Sequence, residues 1–197
     1  MRQMDKYQAE ISQHAAKLIL ESSVELTLAR KQAVQNLKLP RGANANFAAV
    51  LAEAQTQLRL YYPQHAPHLA SLRELALRWM DKLADFSPLL QGNVWLGLAS
   101  RYSAIYLDLY VESAKDLEIW LINQGIDYSV ADDGADRPDA PHLICSDLAP
   151  NFHHLVDIHL QVHDKDQVRG AVKQRLDPSL DLRLRASRAD LAAIMQP

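Results

Sequence analysis

The spacing of apolar residues changes at Pro88, and this switch constrains the fold more than any other feature. Before it, large apolar side chains recur at steps of three and four, which lays them along one face of an α-helix. After it, runs that recur at every second residue appear, the spacing of a strand with one buried face. Such a chain is expected to place helices first and a helix-flanked sheet second, an α+β arrangement.

In the first half, Ile11, Ala15, Leu18, Ile19, Ser22, Leu26, Ala29 and Ala33 predict one long helix over residues 5–37, or two broken near Ser22-Ser23. Pro40-Arg41-Gly42 stops it. Asn44 or Asn46 is placed to cap a second helix carrying Phe47, Val50, Leu51, Ala54 and Leu58, which Pro63 ends. A third runs from His68 to Phe86 on the stripe Leu69, Leu72, Ala76, Trp79, Met80 and Leu83, closed by Ser87-Pro88. About three helices therefore precede any strand.

Beyond Pro88, the run Asn93 to Leu98 and the alternating run Ala104 to Val111 read as two adjacent antiparallel strands. Ser113 opens a helix with Leu117, Trp120, Leu121 and Ile122, and Gly125 ends it; Ile126 to Val130 resumes as strand. Asp132 to Pro141 has the composition of a turn or hairpin loop, and His142 to Cys145 and Phe152 to His163 are the next strands. The tail holds a polar segment to Leu176, a break at Pro178, a strand at Leu180 to Leu184 and a helix from Ser187 to Met195. The expected organisation is a helical segment, 1–87, packed on a core of 88–197, or one compact domain overall.

Bulk properties narrow the function. The net charge of −3 comes from 21 basic and 24 acidic residues scattered along the chain, so nucleic acid is not a favoured partner. Cys145, the one cysteine, sits in an apolar run and reads as a small buried hydrophobe in a reducing compartment. No apolar run is long enough to span a membrane, and a cytoplasmic protein is expected.

A glycine-bearing strand, a turn, an alternating strand, a helix and a later strand with an acid follow one another between residues 88 and 163. This order resembles the core of the DNA polymerase beta-like nucleotidyltransferase superfamily, and most closely a divergent bacterial group with an eroded metal signature. The resemblance implies a mixed or antiparallel sheet flanked by helices. In active members a Gly-Ser pair after the first strand holds the triphosphate through backbone amides, an Asp-x-Asp pair on the next strand binds two divalent cations, and a later strand adds a third acid. Here the Gly-Ser position is matched to Gly97-Leu98 and the Ser-Asp-x-Asp position reads Ser103-Ala104-Ile105-Tyr106. Neither Ala104 nor Tyr106 is a hard oxygen ligand for magnesium. Asp157-Ile158-His159 matches the third acid. The resemblance thus implies a nucleotide cleft bordered by Gly97, Ser100, Ser103 and Tyr106, with no metal or cofactor expected.

Independently of any family, alternation puts Tyr106, Asp108 and Tyr110 on one face of their strand and His153, Asp157 and His159 on one face of theirs. If the strands are neighbours, Asp108, Asp157 and His159 are candidates for a relocated site binding Mg2+ and a nucleotide. The plainer reading is a sheet face left in water, where Tyr, Asp and His are ordinary. The histidines at 153, 154, 159 and 163, the helical pairs His65/His68 and Glu10/His14, and the basic cluster Lys173, Arg175, Arg183, Arg185 and Arg188 all read first as solvated surface. No phosphate-cradling glycine loop and no nucleophile elbow is present.

Three functions remain open on this evidence: a nucleotidyltransferase-like protein without catalysis that binds a nucleotide or a protein; an atypical transferase using Asp108, Asp157 and His159; and a structural protein. In the last, the Ile11, Leu18 and Leu26 stripe pairs with a second copy to form a homodimer.

Overall fold

A computed structural model describes residues 2–40, 42–131, 140–177 and 182–196, with side chains from residue 7 onward. Four α-helices come first: α1 (Arg2–Ser22), α2 (Leu26–Asn36), α3 (Phe47–Tyr61) and α4 (His65–Lys82). The first helical stretch is broken at Ser23, whose φ of 54° no right-handed helix tolerates, so four helices stand where about three were expected. Of the two candidate caps of α3, Asn46 takes the role, accepting the amide of Ala49 at 2.7 Å. α4 starts three residues earlier than its apolar stripe suggested, because Pro67 falls in its first turn, where an amide has no helical partner to lose.

The second half contains β1 (Leu89–Gln91), α5 (Gly92–Leu96), β2 (Ile105–Val111), α6 (Ala114–Asn123), β3 (Ser129–Val130), β4 (His142–Leu148), β5 (Leu155–Asp164), α7 (Val168–Lys173), β6 (Arg185–Ala186) and α8 (Arg188–Met195). Among the described residues these strands form one mixed sheet in the order β3-β4-β5-β2-β1-β6. β2 and β5 run parallel at its centre and every other pair is antiparallel. The α+β class and the helix-flanked mixed sheet are thus present.

One strand expectation fails. Asn93 to Leu98 is not extended: β1 ends at Gln91, Gly92 turns the backbone at φ 75°, and α5 follows. A short apolar run cannot be told from a buried helical turn by periodicity. Both ends of this five-residue helix are held from outside it. The Glu25 carboxylate accepts the Asn93 amide at 2.9 Å, and Arg73 donates to the carbonyls of Val94 and Trp95, each at 3.2 Å. An anion at the N-terminus and a cation at the C-terminus complement the helix dipole.

The tail differs in detail. Leu176 and Leu182 join through a backbone hydrogen bond of 3.0 Å, and the strand proper is Arg185–Ala186. Pro178, and most of the Asp132 to Pro141 loop, lie outside the described residues. α8 begins as expected, with Ser187 and Asp190 forming a reciprocal capping box.

Packing divides the interior into two large clusters. α4, α6 and α8 cover one face of the sheet, burying Leu72, Trp79, Leu107, Leu117, Ile158 and Leu191 together. α1, α2 and α3 enclose their own cluster around Ile11, Ile19, Leu26 and Val50, and Trp95 borders both. Of the stripe expected to pair with a second copy, Ile11 and Leu26 are almost fully buried inside this chain and Leu18 is partly buried. No described helix is long and apolar enough to cross a membrane.

Candidate functional site

The face of the sheet opposite α4, α6 and α8 carries the candidate site, and α7 packs on part of it through Ala171 against Leu89 and Tyr110. Register puts Tyr106 beside His159, Asp108 beside Gln161 and Tyr110 beside His163 across the parallel pair β2/β5. On the far side of β5, His142 lies opposite Gln161 and Ile144 opposite His159. Gln91 of β1 faces Tyr106, and Arg185 of β6 faces Gln91. The two strands expected to share a polar surface are neighbours, and their polar residues do line up on one side.

Asp108 is the centre of this face and is completely buried. Arg185 Nε donates to its Oδ2, and Gln91 Nε2 donates to its Oδ1 at 2.6 Å. Gln91 also donates to Gln161 at 2.8 Å, and Arg185 to Gln174 at 2.7 Å. His163 Nε2 stands 3.1 Å from Asp108 Oδ1 without hydrogen-bond alignment. The Tyr110 phenol is pushed up to about 12 by burial and then by the Asp108 charge. Arg185, read from sequence as part of a solvated basic edge, is therefore the counter-ion of a buried carboxylate, with only 15% of its side chain exposed. Two of its companions are also paired: Arg183 with Asp190 at 3.1 Å, and Arg188 with Asp81.

Asp157 belongs to a different part of the face. It accepts from Ser146 at 2.9 Å and precedes Ile158, the partner of Ile105, whereas Asp108 is opposite Gln161. Four residues of strand separate the two levels, about 13 Å at the usual rise. The carboxylates do not converge, and His159 joins neither into a metal set. Its Nδ1 is 2.8 Å from His142 Nε2, and its ring stacks on Tyr106 at 4.5 Å. Burial, then the neighbouring His142, lowers its pKa. His153 falls before β5, so it shares no strand face with Asp157 and His159.

The expected nucleotide residues are occupied structurally. Gly97 is the left-handed cap of α5, at φ 74°. Ser103 Oγ accepts the Ser100 amide at 2.9 Å, and Ser100 Oγ pairs with Ser23 Oγ at 2.7 Å. The glycine that directly follows the first strand is Gly92, whereas Gly97 follows α5. The sequence alone hid this because β1 is only three residues long. The Glu25 carboxylate lies against Gly92 and Asn93, and a Cβ on Gly92 would collide with its Oε2. Burial pushes Glu25 up to about 7, partly offset by the Asn93 amide. Asn93 in turn donates to the Val24 carbonyl at 3.0 Å.

Among the described residues, no group of three or more His, Cys, Asp or Glu side chains is arranged to hold a metal ion. Magnesium does not fit the Asp108 level: the carboxylate oxygens already accept from Arg185 and Gln91, and the neighbouring same-face residue is Tyr106. No protein-family model, curated protein or solved structure matches the chain.

Proposed function

We propose that the chain is a nucleotidyltransferase-like protein of a divergent bacterial group that has exchanged metal-dependent transfer for a binding role. The observation that carries this reading is Asp108. It is the one acid on the polar face of β2, and it is bound by Arg185 and Gln91 in a buried network. A carboxylate neutralised in this way serves fold and register, not cation capture.

The same reading disfavours a nucleotide as the ligand. The amide after the first strand, where backbone groups would meet phosphate, is taken by the Glu25 carboxylate. Like charge at that position opposes a triphosphate. A protein partner is the better fit, and the helical segment offers a surface for it. An apolar groove of about 430 Å3 runs between the end of α3 and residues 99–102, with Tyr61 and Tyr102 exposed at its edges. Exposed aromatic rings beside an apolar groove are the usual makings of a protein contact.

Calorimetry of the chain with ATP and Mg2+ tests this, with Asp157→Ala in parallel. The expected result is no magnesium-dependent heat in either protein. Saturable, magnesium-dependent binding that Asp157→Ala removes would overturn it.

A further inference from the structure

Between the α1–α2 turn and the sheet face that carries Tyr106 lies a cavity of about 220 Å3. Its wall is chemically divided. Glu25, Tyr106 and Gln161 bring polar groups to it, and Leu96, Leu176 and Leu184 supply an apolar side. Glu25 Oε2 accepts the Asn93 amide, but Oε1 is buried and, among the described residues, has no hydrogen-bond partner.

A buried carboxylate oxygen without a donor is an uncommon and costly feature. The influences on Glu25 are burial and the Asn93 amide. The titratable side chain facing it is Tyr106, whose phenol is raised by burial and then by Glu25, and which stacks on His159. Among the described residues, no cation acts on Glu25.

We propose that this cavity binds a small primary alkylammonium, with its charged head on Glu25 Oε1 and its stem against Leu96, Leu176 and Leu184. An ammonium brings three donors to a site that has an acceptor without one. A hard divalent cation fits less well, because it needs several oxygen ligands at fixed distances and one wall here is leucine. An anion would meet the carboxylate head-on. The proposal does not depend on the nucleotidyltransferase reading, and magnesium-dependent ATP binding would leave it standing.

The test is an amide NMR titration of the whole chain at mildly alkaline pH with n-butylammonium, n-butanol and butyrate at matched ionic strength. The expected result is saturable shifts around Asn93 and Leu184 with n-butylammonium, and apparent affinities at least about tenfold weaker for the other two. Binding should weaken about tenfold per unit as pH falls below the Glu25 midpoint of about 7. Glu25→Gln keeps an acceptor for Asn93 and should lose the response. Equal responses to n-butylammonium and n-butanol, no saturable response to any of the three, or an undiminished response in Glu25→Gln would each overturn the proposal. The comparison of ligands on the unmodified chain decides the matter even if that variant does not fold.

Discussion

Glu25 and Asn93 are 68 residues apart in sequence and joined by a 2.9 Å hydrogen bond from the Asn93 amide to the Glu25 carboxylate. The contact ties the turn between α1 and α2 to the first turn of α5, and Ser23 with Ser100 adds a second tie. It places a buried acid next to the glycine that ends β1, and so governs both the stability and the ligand chemistry of that corner.

Glu25 should make stability fall with pH. Its value is 4.5 when unperturbed and about 7 in the folded chain, so the group is protonated in both states at low pH and carries no penalty there. As pH rises from 4.5 the unfolded state ionises first, and the loss is complete above about 7. The shift corresponds to about 3 kcal/mol. Urea denaturation of Glu25→Gln should show a flatter profile over this window and a gain of about 1–3 kcal/mol above it.

Gly92→Ala should be costly for two separable reasons. Its φ of 75° strains any Cβ-bearing residue, by about 1–2 kcal/mol, and the added Cβ also displaces Glu25. Gly125, at φ 65° with open space around it, carries the strain alone. Gly125→Ala should therefore cost less than Gly92→Ala, and the excess should shrink when Glu25 is already alanine. A double-mutant cycle by chemical denaturation reads this coupling.

Asp108→Ala should leave the largely buried Arg185 without its carboxylate and destabilise the fold by about 3–5 kcal/mol. Asp108→Asn, which retains an acceptor of the same shape, should cost less. Thermal and urea unfolding of the two variants provide the comparison.

Cys145 should be inert until the chain unfolds. It is 1% exposed in the middle of β4, and burial pushes its thiol up to about 11. A disulfide reagent should react at neutral pH only as fast as the sheet opens, and at once in denaturant.

Helices α1 to α4, α6 and α8, the alternation of β2 and the Ser187 cap are legible in the sequence because each is set by neighbours within a turn or two. What was illegible depends on distant partners. α5 needs Glu25 and Arg73 at its ends, and β1 is too short to show a period. The shared face of Tyr106, Asp108, His159 and His163 follows from alternation, but their pairing needs the register of β2 against β5. That register separates Asp108 from Asp157. Arg185 looked like surface because its partner, Asp108, lies 77 residues away.

The central claim is that Asp108 is a structural ion-pair partner and not a ligand for a catalytic metal. Pyrophosphate release from each of the four ribonucleoside triphosphates, with Mg2+ or Mn2+, tests it most directly when the unmodified chain and Asp108→Asn are compared. No metal-dependent release above buffer is expected from either. Release that requires the metal and disappears in a folded Asp108→Asn protein would contradict the account.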